Sequence, residues 1–149
     1  MNSPGPRAVR SVLPLWQRRA VYALASAIWL TGAGWLIFQY FIRVPDQFGF
    51  DNPHPLQRWW LVAHAVVSLG GLWIFGLLWH HHIARGWEQR LRRPTGGTLF
   101  GLIAWLALSG CALYYLGDDQ ARSLTSLGHW ILGLGTLAAF LLHDRGKKT

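Results

Sequence analysis

Six of the seven histidines stand at the ends of two apolar stretches. His64 opens a stretch that closes on His80, His81 and His82, and His129 opens a second that closes on His143. An ionisable side chain at bilayer depth is costly enough to mark function by default, and the neutral imidazole is the commonest protein ligand for metals. Two apolar helices with histidines at both ends therefore point to two stacked metal centres.

Helical geometry restricts which rings can meet. At ~100° and ~1.5 Å per residue, the step from His129 to His143 falls about 40° short of a whole number of turns and rises ~21 Å, so both can face one interior. The step from His64 to His82 makes about five full turns, whereas His80 and His81 are rotated by roughly 160° and 100°. Facing selects His82. Rise favours His80, because His82 lies ~27 Å from His64 and His80 ~24 Å, against ~21 Å on the partner helix. Helix tilt or a local bulge would have to absorb the difference, and His80 stays the alternative inner ligand.

Structural zinc sites gather four N or S ligands around one ion, whereas these residues separate into two depths about five turns apart. Each depth supplies two imidazoles, which is what axial ligation of a six-coordinate haem iron needs. His64 and His129 would hold an outer haem iron, His82 and His143 an inner one. Gly70, Gly71, Gly128, Gly133 and Gly135, with Ala33, Gly34 and Gly110, could leave room for a flat ring, although small residues in membrane helices also serve packing. Two rival readings are a histidine-based metal or proton transporter and a haem-free structural membrane subunit. No catalytic residue is expected.

The elements that must position these residues are legible in composition. Of 149 residues, 52% are hydrophobic and 13% charged, which is membrane-class composition and one domain. Four apolar runs, about 20–42, 57–82, 98–117 and 124–142, each approach the ~20 residues needed to cross a bilayer. The expected fold is all-α, an integral membrane four-helix up-and-down bundle over 20–143, with basic tails at 1–19 and 144–149. The lone Cys111 lies inside the third run and reads as a small buried apolar residue.

The formal net charge of +8 is distributed by topology and forms no nucleic-acid patch. Eleven of the 14 basic residues flank what would be one side: Arg7, Arg10, Arg18 and Arg19, then Arg85, Arg90, Arg92 and Arg93, then Arg145, Lys147 and Lys148. The other connections hold Arg43, Arg58 and Arg122 with Asp46, Asp51, Asp118 and Asp119. Both termini are therefore expected in the cytoplasm, with the first run kept as a signal anchor. Residues 43–56 read as a turn-rich loop in which His54 is a surface residue, Pro94–Gly97 as a breaker, and Asp118 or Asp119 as a helix cap.

The segments HPLQRWWLVAHA, HIARGW and SGCALYYLGDDQARSLTSLGHWILGLGTLAAFLLH resemble the small four-helix bacterial membrane cytochrome b family, cytochrome b561-like proteins often described as a domain of unknown function. The resemblance covers about two thirds of the chain. It implies b-type haem held by His64, His82, His129 and His143, and the HIARGW match favours His82 over its neighbours. The expectation is a bis-histidine cytochrome of the bacterial inner membrane with two haems b, or one if the inner pair is not used. It would pass electrons between quinone or quinol in the lipid bilayer and a redox protein such as a c-type cytochrome, as an electron-transfer subunit more than a stand-alone enzyme. No nucleic-acid partner is expected.

Overall fold

The computed structural model describes residues 13–90 and 92–145; Arg7, Arg10, Lys147 and Lys148, which carry part of the charge asymmetry, lie outside them. The described chain is mostly helical: α1 Leu15–Tyr40, α2 Pro55–Leu78, a π-helical segment Trp79–Ala84, α3 Arg85–Glu88, α4 Arg93–Tyr115 and α5 Asp119–Arg145. Two short strands, β1 Arg43–Pro45 and β2 Asp51–Pro53, pair antiparallel between α1 and α2.

Four helices are long and apolar enough to cross a membrane, the second running without a break from Pro55 to Glu88. Their apolar side chains point outward as much as inward. Among the described residues only Ile74, Leu78 and Ser109 are buried, while Leu69 is 68% and Leu108 71% exposed. In water such a surface would form apolar patches that soluble monomers avoid; against lipid it costs nothing. This is a multi-pass membrane protein. Cys111 belongs to that outer surface: it is exposed, not buried as its apolar neighbours imply, because in lipid the outside of a helix is as apolar as the core.

The helix starts follow local chemistry. Pro55 occupies the first turn of α2, where its missing N–H is no loss, and the His54 ring caps the helix by accepting the Leu56 N–H at 3.1 Å. Asp118 caps α5 by accepting the Ala121 N–H at 2.7 Å. Pro94 also begins a helix, which puts Gly96 and Gly97 inside α4 where the sequence reads as a breaker. The connection 43–53 is more ordered than a loop: Asp46 Oδ1 accepts the N–H groups of Phe48 at 2.8 Å and Phe50 at 2.9 Å. Gly49 takes φ +84 at the tip, a conformation suited to glycine.

Helix α1 packs along α2, α4 packs along α5, and α1 also touches α5. Small residues set the close approaches. A Cβ on Gly34 would lie 2.7 Å from the Trp60 indole, and one on Gly71 2.7 Å from Ile28. Aromatic pairs tie the two hairpins together, with Phe75 and Trp79 5.7 and 5.9 Å from Phe100 and Tyr22 5.6 Å from Phe140. The Trp29 indole N–H donates to Leu134 O at 3.4 Å.

Candidate functional site

Across the space between α2 and α5 the histidines meet in two pairs. The His64 and His129 rings lie 6.4 Å apart, centroid to centroid, with planes at 87°. The His82 and His143 rings lie 6.3 Å apart at 85°. All four are half-buried, whereas His80 and His81 are exposed and their rings stand 6.2 Å from each other. Of the triplet it is His82 that is brought opposite His143.

The π-helical segment Trp79–Ala84 contains the whole triplet. A wider turn fits more residues into the same axial length, so the path from His64 to His82 is shorter than α-helical rise implies. Part of the difference in rise is taken up there, within the segment that carries the ligand-type side chains. Just beyond it, Arg93 donates to Trp87 O at 2.8 Å and lies over the Trp87 ring, and Arg92 donates to His143 O at 2.8 Å, tying this end of α4 to both neighbours.

Each of three histidines is backed by the helix that precedes its own. His64 Nδ1 lies 3.0 Å from Ile28 O and 3.1 Å from Thr31 Oγ1 on α1. His129 Nδ1 lies 2.8 Å from Ser109 Oγ, and His143 Nδ1 3.2 Å from Thr95 Oγ1, both on α4. Next to each hydroxyl stands a glycine against the ring: a Cβ would meet Cε1 of His64 at 3.1 Å from Gly32, of His129 at 3.3 Å from Gly110, and of His143 at 3.5 Å from Gly96. Sequence reasoning counted Gly110 among the residues that leave room for a flat ring and placed Thr95 and Gly96 in a breaker, and it gave none of them, nor Thr31, Gly32 and Ser109, a contact with a histidine. A hydroxyl–glycine dipeptide recurring on the helix before a histidine-bearing one is the signal that would have found them.

Among the described residues no three His, Cys, Asp or Glu side chains converge on one point, so the donor sets are pairs. His54 lies apart from both, with its ring 5.1 Å from Phe38. It lines a cavity of about 580 Å³ at the hairpin end of α1 and α2, together with Trp35, Gln57, Arg58, Trp59 and Leu61. Gln57 Nε2 donates to Gln39 Oε1, and Gln57 Oε1 is buried there without a hydrogen-bond partner.

Two imidazoles whose nitrogens point at one shared metal would stand about 6.3 Å apart, from ring bonds of ~1.33 Å and metal–nitrogen bonds of ~2.0 Å, and both centroid separations are of that size. No protein-family model, no curated protein and no solved structure matches this chain, so the family resemblance rests on its own sequence segments.

Proposed function

We propose that this chain is a dihaem b-type membrane cytochrome, a four-helix up-and-down bundle that passes electrons between the quinone pool and a periplasmic or membrane-bound redox protein such as a c-type cytochrome. The observation that carries the reading is the pair geometry: twice, at two depths, two half-buried imidazoles face each other at 6.3–6.4 Å with planes near perpendicular. Haem, when bound, supplies a reversible one-electron couple. His64 with His129 would hold the outer group, and His82 with His143 the inner one.

Haem held by an imidazole from each of two helices would be closed to oxygen or substrate, which suits electron transfer. The two pairs are separated by ~21 Å of α5, most of the ~30 Å hydrocarbon thickness. The open hollow beside Leu61, one turn from His64, would offer a polar ring two indole walls, Trp35 and Trp59. That arrangement supports a lipid-soluble quinol as the partner on that side.

Alternating helix direction is supported by the same contacts: Thr95 meets His143 and Ser109 meets His129, so α4 and α5 run oppositely. Among the described residues, Arg18, Arg19, Arg85, Arg90, Arg92, Arg93 and Arg145 then fall on one side, which the positive-inside tendency assigns to the cytoplasm of a bacterial inner membrane. The sequence resemblance to the small cytochrome b family implies the same four histidines as ligands.

The test is haem content of the detergent-purified protein after His64→Ala and His129→Ala together. The expected result is one haem lost and one retained. Unchanged haem content would overturn the outer assignment.

A further inference from the structure

The hydroxyls beside His64 and His129 have a single proton each, and the helix they stand on takes it. Thr31 Oγ1 lies 2.7 Å from Ala27 O and 3.0 Å from Ile28 O, and Ser109 Oγ 2.7 Å from Trp105 O. A carbonyl oxygen only accepts, so both hydroxyls donate backward into their own helix. Each oxygen is then left as an acceptor toward the ring.

A ring nitrogen facing an acceptor must carry the proton. For His64 the conclusion holds without the hydroxyl, because Nδ1 also faces the Ile28 carbonyl at 3.0 Å. A neutral imidazole protonated at Nδ1 is bare at Nε2, the form that ligates a metal. A glycine completes the device, because a Cβ on Gly32 or Gly110 would crowd Cε1, the atom between the two nitrogens, at 3.1 and 3.3 Å. With Nδ1 held and Cε1 against the backbone, the ring cannot flip without breaking a hydrogen bond.

We infer that the dipeptides Thr31–Gly32 and Ser109–Gly110 are positioning elements that fix His64 and His129 as Nδ1–H tautomers, leaving their Nε2 unprotonated for a metal. Thr95 and Ser109 are fourteen residues apart on α4, as are His129 and His143 on α5, so the antiparallel packing that brings Ser109 to His129 also sets Thr95 Oγ1 3.2 Å from His143 Nδ1.

The functional consequence rests on the haem reading, but the tautomer does not. Outer partners of this kind raise ligand basicity, and losing one costs ~10–100-fold in metal affinity. Ser109→Ala should therefore weaken haem at the outer pair by that factor and raise the midpoint potential of that haem alone, because a less basic imidazole stabilises the ferric state less. Ser109→Thr should restore both. The independent readout is ¹⁵N NMR of histidine-labelled full-length protein purified from haem-deficient cells. Nδ1–H at His64 and His129 in the parent, and a mixture at His129 only in Ser109→Ala, is the expected result. Nε2–H at His129 in the parent, or a Ser109→Ala variant with the parent's tautomer and potential, would overturn the inference. Nδ1–H tautomers in a chain that takes up no haem from haem-sufficient cells would sustain it and overturn the haem reading instead.

Discussion

Replacing Gly32 by alanine is the smallest change that reaches the outer histidine pair without touching a ligand-type atom. The added Cβ would lie 3.1 Å from Cε1 of His64, about 0.3 Å short of the 3.4 Å at which ordinary contact begins. The ring has little freedom to yield, since Nδ1 is held at 3.0 Å by Ile28 O and at 3.1 Å by Thr31 Oγ1. A retreat of that size exceeds the ~0.2 Å tolerance of a metal–ligand distance. It should cost the outer site ~10–100-fold in affinity, as loss of a supporting contact does. The inner pair, ~21 Å away along α5, should be untouched. Gly76→Ala is the control, because its Cβ would meet nothing within 4 Å. Haem titration of the two variants, followed by the visible spectrum, reads the difference. If Gly32→Ala binds haem at the outer pair as tightly as Gly76→Ala, the ring is not held against the backbone and the positioning argument fails.

Other consequences are open to measurement. Gly34→Ala should destabilise the α1–α2 packing by about 1–3 kcal/mol, more than the ~1 kcal/mol that helix propensity returns, since three Trp60 ring atoms lie under 3.0 Å from the new Cβ; a denaturant titration in detergent matching that of the parent would contradict this. The backbone N–H of Phe50, helped by that of Phe48, holds the Asp46 carboxyl below its ordinary value of 3.8. The hairpin's share of stability is then complete above that value and lost as pH falls through the lowered one. The Phe50 amide resonance should titrate below 3.8 in the parent and not at all in Asp46→Asn; a transition at or above the ordinary value would refute the assignment. Fluorescent-protein and phosphatase reporters fused at each terminus should both report cytoplasm, and termini on opposite sides would refute alternating helix direction.

How much of this was legible in the sequence depended on whether periodicity alone decided it. The four spans follow from apolar run length, and the meeting of His129 with His64 and of His143 with His82 follows from helical angles. The helix ends did not: α5 begins at Asp119 and α4 at Arg93, because caps and a first-turn proline carry helices past the apolar core. The β-hairpin was hidden because Asp46 and Gly49 build its turn from polar and glycine residues that read as plain loop. The π-helical segment was anticipated only as a need for a bulge, since no local composition announces one. The hydroxyl–glycine supports were missed because Ser, Thr and Gly are ordinary packing residues in membrane helices, and only their contact with a ring across two helices gives them a role.

The most direct test is the dithionite-reduced minus oxidised visible spectrum of the detergent-purified protein, with a pyridine haemochrome assay of haem per polypeptide. The account predicts sharp b-type bands and two haems per chain; one per chain would remove the inner site. A colourless protein from haem-sufficient cells would contradict the central claim.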